Sequence, residues 1–274
     1  MLVLSTLLLS CAHKSTPKGS DDTSEVEYAP QTGVLDETFT DDAGATGQLR
    51  IIVPEDITPG TYGVLLFFGW DGGDSYYQEE ADLHEPLASE HDLIVVSMTT
   101  PVTESASGCW WAPAVEDNAA YVAQLVAERL VGELRIDTDR IFLTGLSGGA
   151  DFASAFHYHT GFAYRGGSVA LCGGDLPRLN GGNCGMEVAP PAAPAPESLS
   201  AEALAGIRFD FALTADDYLF GNAEEAVGFY TGLGFERVQL RTAAGSGHCG
   251  FSEGWEGLET LAEGLDYVDS RVTP

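Results

Sequence analysis

The 274-residue chain is 44% apolar and only 20% charged, long and apolar enough to bury one large core rather than stay disordered. Twelve Lys and Arg stand against 42 Asp and Glu, a formal net charge of −30. Nucleic acid and anionic lipid surfaces attract basic chains through phosphate, so both are excluded as partners, and the acidity otherwise describes a strongly hydrated surface.

The chain opens with an apolar run from Met1 to Ser10 that is too short to span a membrane and ends at Cys11. Leu8-Leu9-Ser10-Cys11 resembles the lipobox of a bacterial lipoprotein signal, which implies that Cys11 is lipidated and becomes the mature N-terminus. No basic stretch precedes the apolar run, so the true start is expected upstream of Met1. Residues 12–32 are rich in Ser, Thr, Asp, Glu and Pro without periodicity and read as a flexible acidic tether. The expected organisation is therefore a signal over 1–11, a tether over 12–32 and one folded domain over 33–274. The protein is expected to be exported and monomeric, touching a membrane (outer membrane or periplasmic face) only through the lipid on Cys11. A plain secretory signal with a disordered tail is the alternative.

Within the domain, strand-like apolar runs fall at Leu49–Val53, Gly63–Phe68, Leu93–Met98, Arg140–Thr144, Ser168–Leu171, Ile207–Leu213 and Arg237–Leu240. Helical segments are predicted between them at Gln78–Glu90, Asn118–Val131, Gly149–His159 and Ala223–Leu233, with a last one at Trp255–Tyr267. The clearest is Asn118–Val131, where Tyr121, Val122, Leu125, Val126 and Leu130 make one apolar face, with Asp117 as cap and Gly132 as stop. Strands apolar throughout and separated by helices imply an α/β class: a mainly parallel central sheet with helices on both faces, in a single domain. Pro190–Ser198, with its four prolines, reads as an irregular insertion.

The run Ile141-Phe-Leu-Thr-Gly145-Leu-Ser147-Gly148-Gly149-Ala150 carries G-x-S-x-G where a strand gives way to small, helix-compatible residues. A serine there is held on a sharp strained turn and presented to a substrate. The Gly148 N–H faces the place where an oxyanion would form, and the N–H of Trp70, after the strand Gly63–Phe68, supplies a second donor. In such an order the acid and the base follow the nucleophile. The strand Ile207–Leu213 runs into Thr214-Ala-Asp216-Asp217-Tyr218, which lies on a Gly-x-x-Asp-aromatic pattern with Thr214 at the glycine. Asp217 is the favoured acid and Asp216 its alternative. His248, in the Gly-rich loop Ala243–Phe251 after the last strand, is the base. His157 and His159 stand two positions apart on a helix and face different sides, and no C-x-x-C pair exists, so neither a metal nor another cofactor is expected.

Cys109, Cys172, Cys184 and Cys249 remain once Cys11 is set aside, an even number suited to an oxidising compartment. Cys172 with Cys184 and Cys109 with Cys249 are the preferred pairs. All four tryptophans, Trp70, Trp110, Trp111 and Trp255, fall in loops expected to converge on Ser147, with Trp110, Trp111 and Trp255 as walls for substrate.

Cys109-Trp110-Trp111, then a helix, then Asp137-Thr-Asp-Arg140-Ile141 leading into the serine turn resembles the polyhydroxybutyrate depolymerase and feruloyl esterase group of α/β-hydrolases, from about Leu49 to His248. That resemblance implies an α/β-hydrolase fold with Ser147, Asp217 and His248 as triad and Gly148 with Trp70 as oxyanion hole. It also implies hydrolysis of carboxylic esters through an acyl-enzyme, on polyhydroxyalkanoate-type, feruloyl or acetyl-polysaccharide, or small aryl esters. The chain departs from the group at Phe68-Gly69, where His-Gly is usual, and at Thr214. A serine peptidase on the same fold and a catalytically silent ligand-binding lipoprotein are the alternatives.

Overall fold

The computed structural model describes residues 31–101, 108–111, 115–175, 199–269 and 271. Cys11 with its apolar run, the tether up to residue 30, Cys184 and the proline-rich insertion lie outside the described residues.

Eight strands form one sheet: β1 (Gly33–Thr40), β2 (Thr46–Val53), β3 (Gly63–Phe68), β4 (Leu93–Met98), β5 (Ile141–Leu146), β6 (Gly166–Leu171), β7 (Ile207–Thr214) and β8 (Val238–Ala243). Their order is β1-β2-β4-β3-β5-β6-β7-β8. β2 runs against both of its neighbours, and every other pairing is parallel. β3 to β6 are buried at every position, as continuous apolar runs require. Successive side chains point to opposite faces. Val64, Leu66 and Phe68 pack with Tyr121 and Phe152 on one side, while Leu65 and Phe67 pack with Ala81 and Leu261 on the other.

β1 was not among the predicted strands. It is an edge strand paired only with β2, and its residues alternate between partly buried and exposed. Its inward face places Glu37 between Leu35 and Phe39, and that acid is made tolerable by Arg129, whose Nη2 lies 2.5 Å from Glu37 Oε1. An acid in the middle of an apolar face erases the alternation that would announce a strand.

The helices are α1 (Tyr77–Glu90), α2 (Val115–Leu125), α3 (Gly148–His159), the short α4 (Ala201–Gly206), α5 (Phe220–Gly232) and α6 (Leu258–Val268). α2 begins before Asp117, which sits in the first turn among the acids that favour a helix N-terminus rather than at the cap. Gly132 does not end it. The chain continues through Val126–Glu133 in wider turns, the Leu134 N–H donating to the Arg129 carbonyl five residues back. α6 starts at Leu258 rather than Trp255, because Gly254 (φ +120°) and Gly257 (φ +59°) hold the intervening residues in a turn. Trp255 is thereby left on a loop.

The parallel strands deliver Gly69, Ser147, Cys172 and Asp217 to one edge of the sheet, and the loop after β8 brings His248 to them. At the opposite end, Arg140 is buried against Asp269, Nη2 to Oδ2 2.6 Å, and also donates to the His91 carbonyl at 2.6 Å. The Asp-x-x-Arg-Ile motif is thus a clamp on the last helix, remote from Ser147.

Candidate active site

Ser147 links β5 to α3 with φ +52° and ψ −119°, a backbone conformation that costs a non-glycine residue energy and persists only where its surroundings hold it. They do so by close approach. A Cβ at Gly145 would stand 2.6 Å from the Gly149 carbonyl carbon and 2.7 Å from the Phe68 carbonyl oxygen, and one at Gly149 would overlap the carbonyls of Phe68 and Gly69. Only glycine lets the start of α3 rest on the end of β3. The Ser147 N–H donates to the Leu171 carbonyl (3.1 Å), fixing the turn from β6 as well.

Three predicted residues meet here. His248 Nε2 lies 2.8 Å from Ser147 Oγ, and its Nδ1 lies 3.0 and 3.1 Å from the two Asp217 oxygens. The Asp217 carboxylate is buried and also accepts the Leu219 N–H at 2.9 Å. Asp216, its rival in the sequence, points elsewhere. Its Oδ1 accepts the Gly247 N–H (2.6 Å) and its Oδ2 the Ser246 hydroxyl (2.7 Å), bonds that hold its carboxyl below the usual range. It braces the loop that carries the histidine. Thr214, where a glycine is usual, joins that brace by donating to the Gly247 carbonyl at 2.7 Å.

The cysteine pairing differs from expectation. Cys172 is bonded to Cys249, with Cα atoms 5.0 Å apart, so neither Cys172–Cys184 nor Cys109–Cys249 forms as predicted. Cys109 is also disulfide-bonded, and Cys184 lies outside the described residues. Adjacency along the chain suggested the short loop, but the parallel pairing of β6 with β7, and of β7 with β8, brings the residue after β6 under the β8 loop. The bridge fixes the residue next to His248 to the end of β6, where the Leu171 carbonyl accepts the Ser147 N–H. Cys172, Cys249 and His248 converge closely, yet both sulfurs are spent on each other and offer no thiolate to a metal.

A cavity of about 210 Å³ opens beside Ser147, lined by Trp70, Leu146, Ser147, His248, Cys249 and Trp255. A larger groove of about 500 Å³ lies at the far end of β5, around Val131, Ile141 and Tyr164, away from these groups. Trp70 and Trp255 meet edge to face at 5.2 Å, and Tyr76 lies 5.3 Å from Trp70. Trp255 is 47% exposed and free to meet a ligand. Trp110 and Trp111 are not walls of this cavity. Trp110 is buried between Phe68 and Phe152, and Trp111 is buried with its Nε1 donating to Asp71 Oδ1 at 2.9 Å. Their apolar bulk was worth more inside than at a loop surface.

Sequence reasoning passed over the buried acids around this turn and over Tyr218. Burial raises the Asp71 carboxyl, with the Trp111 hydrogen bond opposing. Burial also pushes Asp151, in the first turn of α3, up to about 8, the Gly174 N–H (2.7 Å) acting the other way. A carboxyl so raised carries less negative charge beneath Ser147 than an ordinary aspartate would. Nothing in a lone sequence marks Asp151, since an acid near a helix start is ordinary. Tyr218, beside Asp217, had a signal in the aromatic that follows the acid.

No protein-family model and no curated protein matches the chain. Solved structures do. An S-formylglutathione hydrolase from Staphylococcus aureus superposes with a TM-score of 0.58 at 15% identity, covering 88% of this chain and 99% of its own. A fungal esterase from Rhizomucor miehei gives 0.60 at 17%, covering 89% and 86%, and a ferulic acid esterase gives 0.57 at 14%, covering 89% and 100%. The fold is that of an α/β-hydrolase. At these identities the likeness belongs to the fold, and chemistry must be argued from the site.

Proposed function

We propose that the chain is a serine hydrolase of carboxylic esters that works through an acyl-Ser147 intermediate. The observation that carries this reading is the continuous relay from Ser147 Oγ to His248 (2.8 Å) to Asp217 (3.0 Å) at the mouth of an aromatic-edged cavity. His248 accepts the Ser147 proton as Oγ attacks the ester carbonyl carbon, and Asp217 holds the imidazole tautomer and stabilises the imidazolium. The N–H groups of Gly148 and Trp70 receive the developing oxyanion. Gly148 opens α3, where N–H groups lack helical partners, and Trp70 follows the strand end on which α3 rests. His248 then protonates the leaving alcohol, and water repeats the sequence on the acyl-enzyme.

Polyhydroxyalkanoate-type oligomers, feruloyl or acetyl esters on polysaccharides and small aryl esters are the substrate classes we assign. The apolar lining beside Ser147 and the ferulic acid esterase among the structural neighbours support that range. We further assign the protein to an exported, monomeric form anchored by lipid at Cys11, in keeping with a disulfide at the site. Labelling with a fluorophosphonate probe, located by peptide mass spectrometry, tests the nucleophile. The adduct is expected on Ser147 and absent from Ser147→Ala; folded protein that takes no label contradicts the reading.

A further inference from the structure

One side chain faces the Ser147–His248 pair without belonging to the relay. Tyr218 lies with its ring 4.5 Å from the His248 ring and its hydroxyl 3.5 Å from Nε2. It is 72% exposed, so burial does not explain its place. The turn does. The Asp217 N–H donates to the Thr214 carbonyl (3.2 Å), the Leu219 N–H to Asp217 Oδ1 (2.9 Å) and the Phe220 N–H to the Asp217 carbonyl (3.1 Å). The same turn that sets a carboxylate on Nδ1 therefore sets a phenol beside Nε2.

A leaving oxygen has to come within about 3 Å of Nε2 to collect its proton. An oxygen so placed on the Tyr218 side of Nε2 is within hydrogen-bond reach of the phenol. We propose that Tyr218 is a further catalytic residue, whose O–H donates a hydrogen bond to the leaving-group oxygen as the acyl-enzyme forms. This rests on the ester-hydrolase reading above. As the tetrahedral intermediate collapses, the bond from carbonyl carbon to leaving oxygen breaks and its electron pair stays on that oxygen. The proton on Nε2 moves to the leaving oxygen, and Tyr218 keeps its own proton throughout.

Tyr218→Phe keeps the ring and removes the donor. The test compares wild type and variant on acetate esters of ethanol, trifluoroethanol, phenol and p-nitrophenol, with circular dichroism and fluorophosphonate labelling as checks that the variant is folded. A hydrogen bond to a charged oxygen predicts a fall in kcat/KM of about tenfold to a hundredfold for the ethyl ester. For the p-nitrophenyl ester, whose leaving group needs little help, the fall is expected to stay below about threefold. A uniform fall across the series overturns the leaving-group role in favour of placing His248, and unchanged or higher rates overturn it outright. Wild type inactive on all four esters overturns the ester-hydrolase reading together with this one, an outcome distinct from the other two.

Discussion

The two sides of the edge where Ser147 meets His248 are built differently. The Ser147 side is made of consecutive residues: β5 enters, a strained turn presents the hydroxyl, and α3 leaves, with Gly145 and Gly149 allowing the approach to β3. The His248 side is a half-buried loop held from afar, by Cys172 77 residues earlier and by Asp216 about 30 residues earlier. Strain can be stored in the first because packing surrounds it. The second depends on a few discrete tethers, so chemical changes at those tethers should lower activity before they unfold the protein.

The largest effect is expected at Ser147, the proposed nucleophile. Ser147→Ala should lower ester turnover by about 10⁴ to 10⁶ while the melting temperature stays close to wild type, read by steady-state kinetics and calorimetry. Next come the two adjacent acids, which separate relay from brace. Asp217→Asn should cost about 10⁴ in kcat, the scale of a lost tautomer control. Asp216→Asn should cost no more than about a hundredfold, the scale of a base displaced by an ångström. Equal losses from the two would erase the distinction.

Opening the Cys172–Cys249 bridge is expected to have a smaller but broader effect. Reduction, or the double change Cys172→Ala with Cys249→Ala, should lower activity at temperatures where circular dichroism still reports a folded chain. The stability cost should be about 2–4 kcal/mol. Simultaneous loss of activity and fold would place the bridge in the core rather than at the loop.

The smallest predicted effect is on stability against pH. Burial pushes Glu80 up to about 7 and Asp151 to about 8, and pulls His84 and His157 down to about 4. The acids hold protons in the native chain that the unfolded chain has released, so their contribution is complete below the ordinary carboxyl range and is lost as pH rises through 7 to 8. The histidines refuse protons that the unfolded chain takes up, so their contribution is lost as pH falls from about 6.5 toward 4. Above about 6.5 only the acids' slope remains, and the melting temperature should decline from there to about 8.5. Asp151→Asn, whose amide oxygen can still accept the Gly174 N–H, should flatten that decline; an unaltered slope would show that Asp151 ionises freely.

The contrast also explains what the sequence made legible. The Ser147 turn could be read because its determinants are contiguous, and the continuous apolar runs at β3 and β4 gave their bounds to the residue. His248 and the Asp216–Asp217 pair were readable as residues following strands, and the aromatic after Asp217 favoured it as the acid that faces the imidazole, but Asp216 stayed a rival because the choice depends on how the turn after β7 meets the loop after β8. The disulfide was misassigned for the same reason: parallel pairing joins residues that are distant along the chain. Trp110 illustrates a different limit, because an aromatic in a loop carries no mark of whether it turns inward or toward a ligand.

The most direct test of the central claim is a search for the acyl-enzyme itself. With p-nitrophenyl acetate in excess, rapid acid quenching and peptide mass spectrometry should reveal one acetyl group on the peptide containing Ser147, formed in step with a burst of p-nitrophenol and absent from Ser147→Ala. Turnover without any acyl group on Ser147 under those conditions, persisting in Ser147→Ala, would contradict the account.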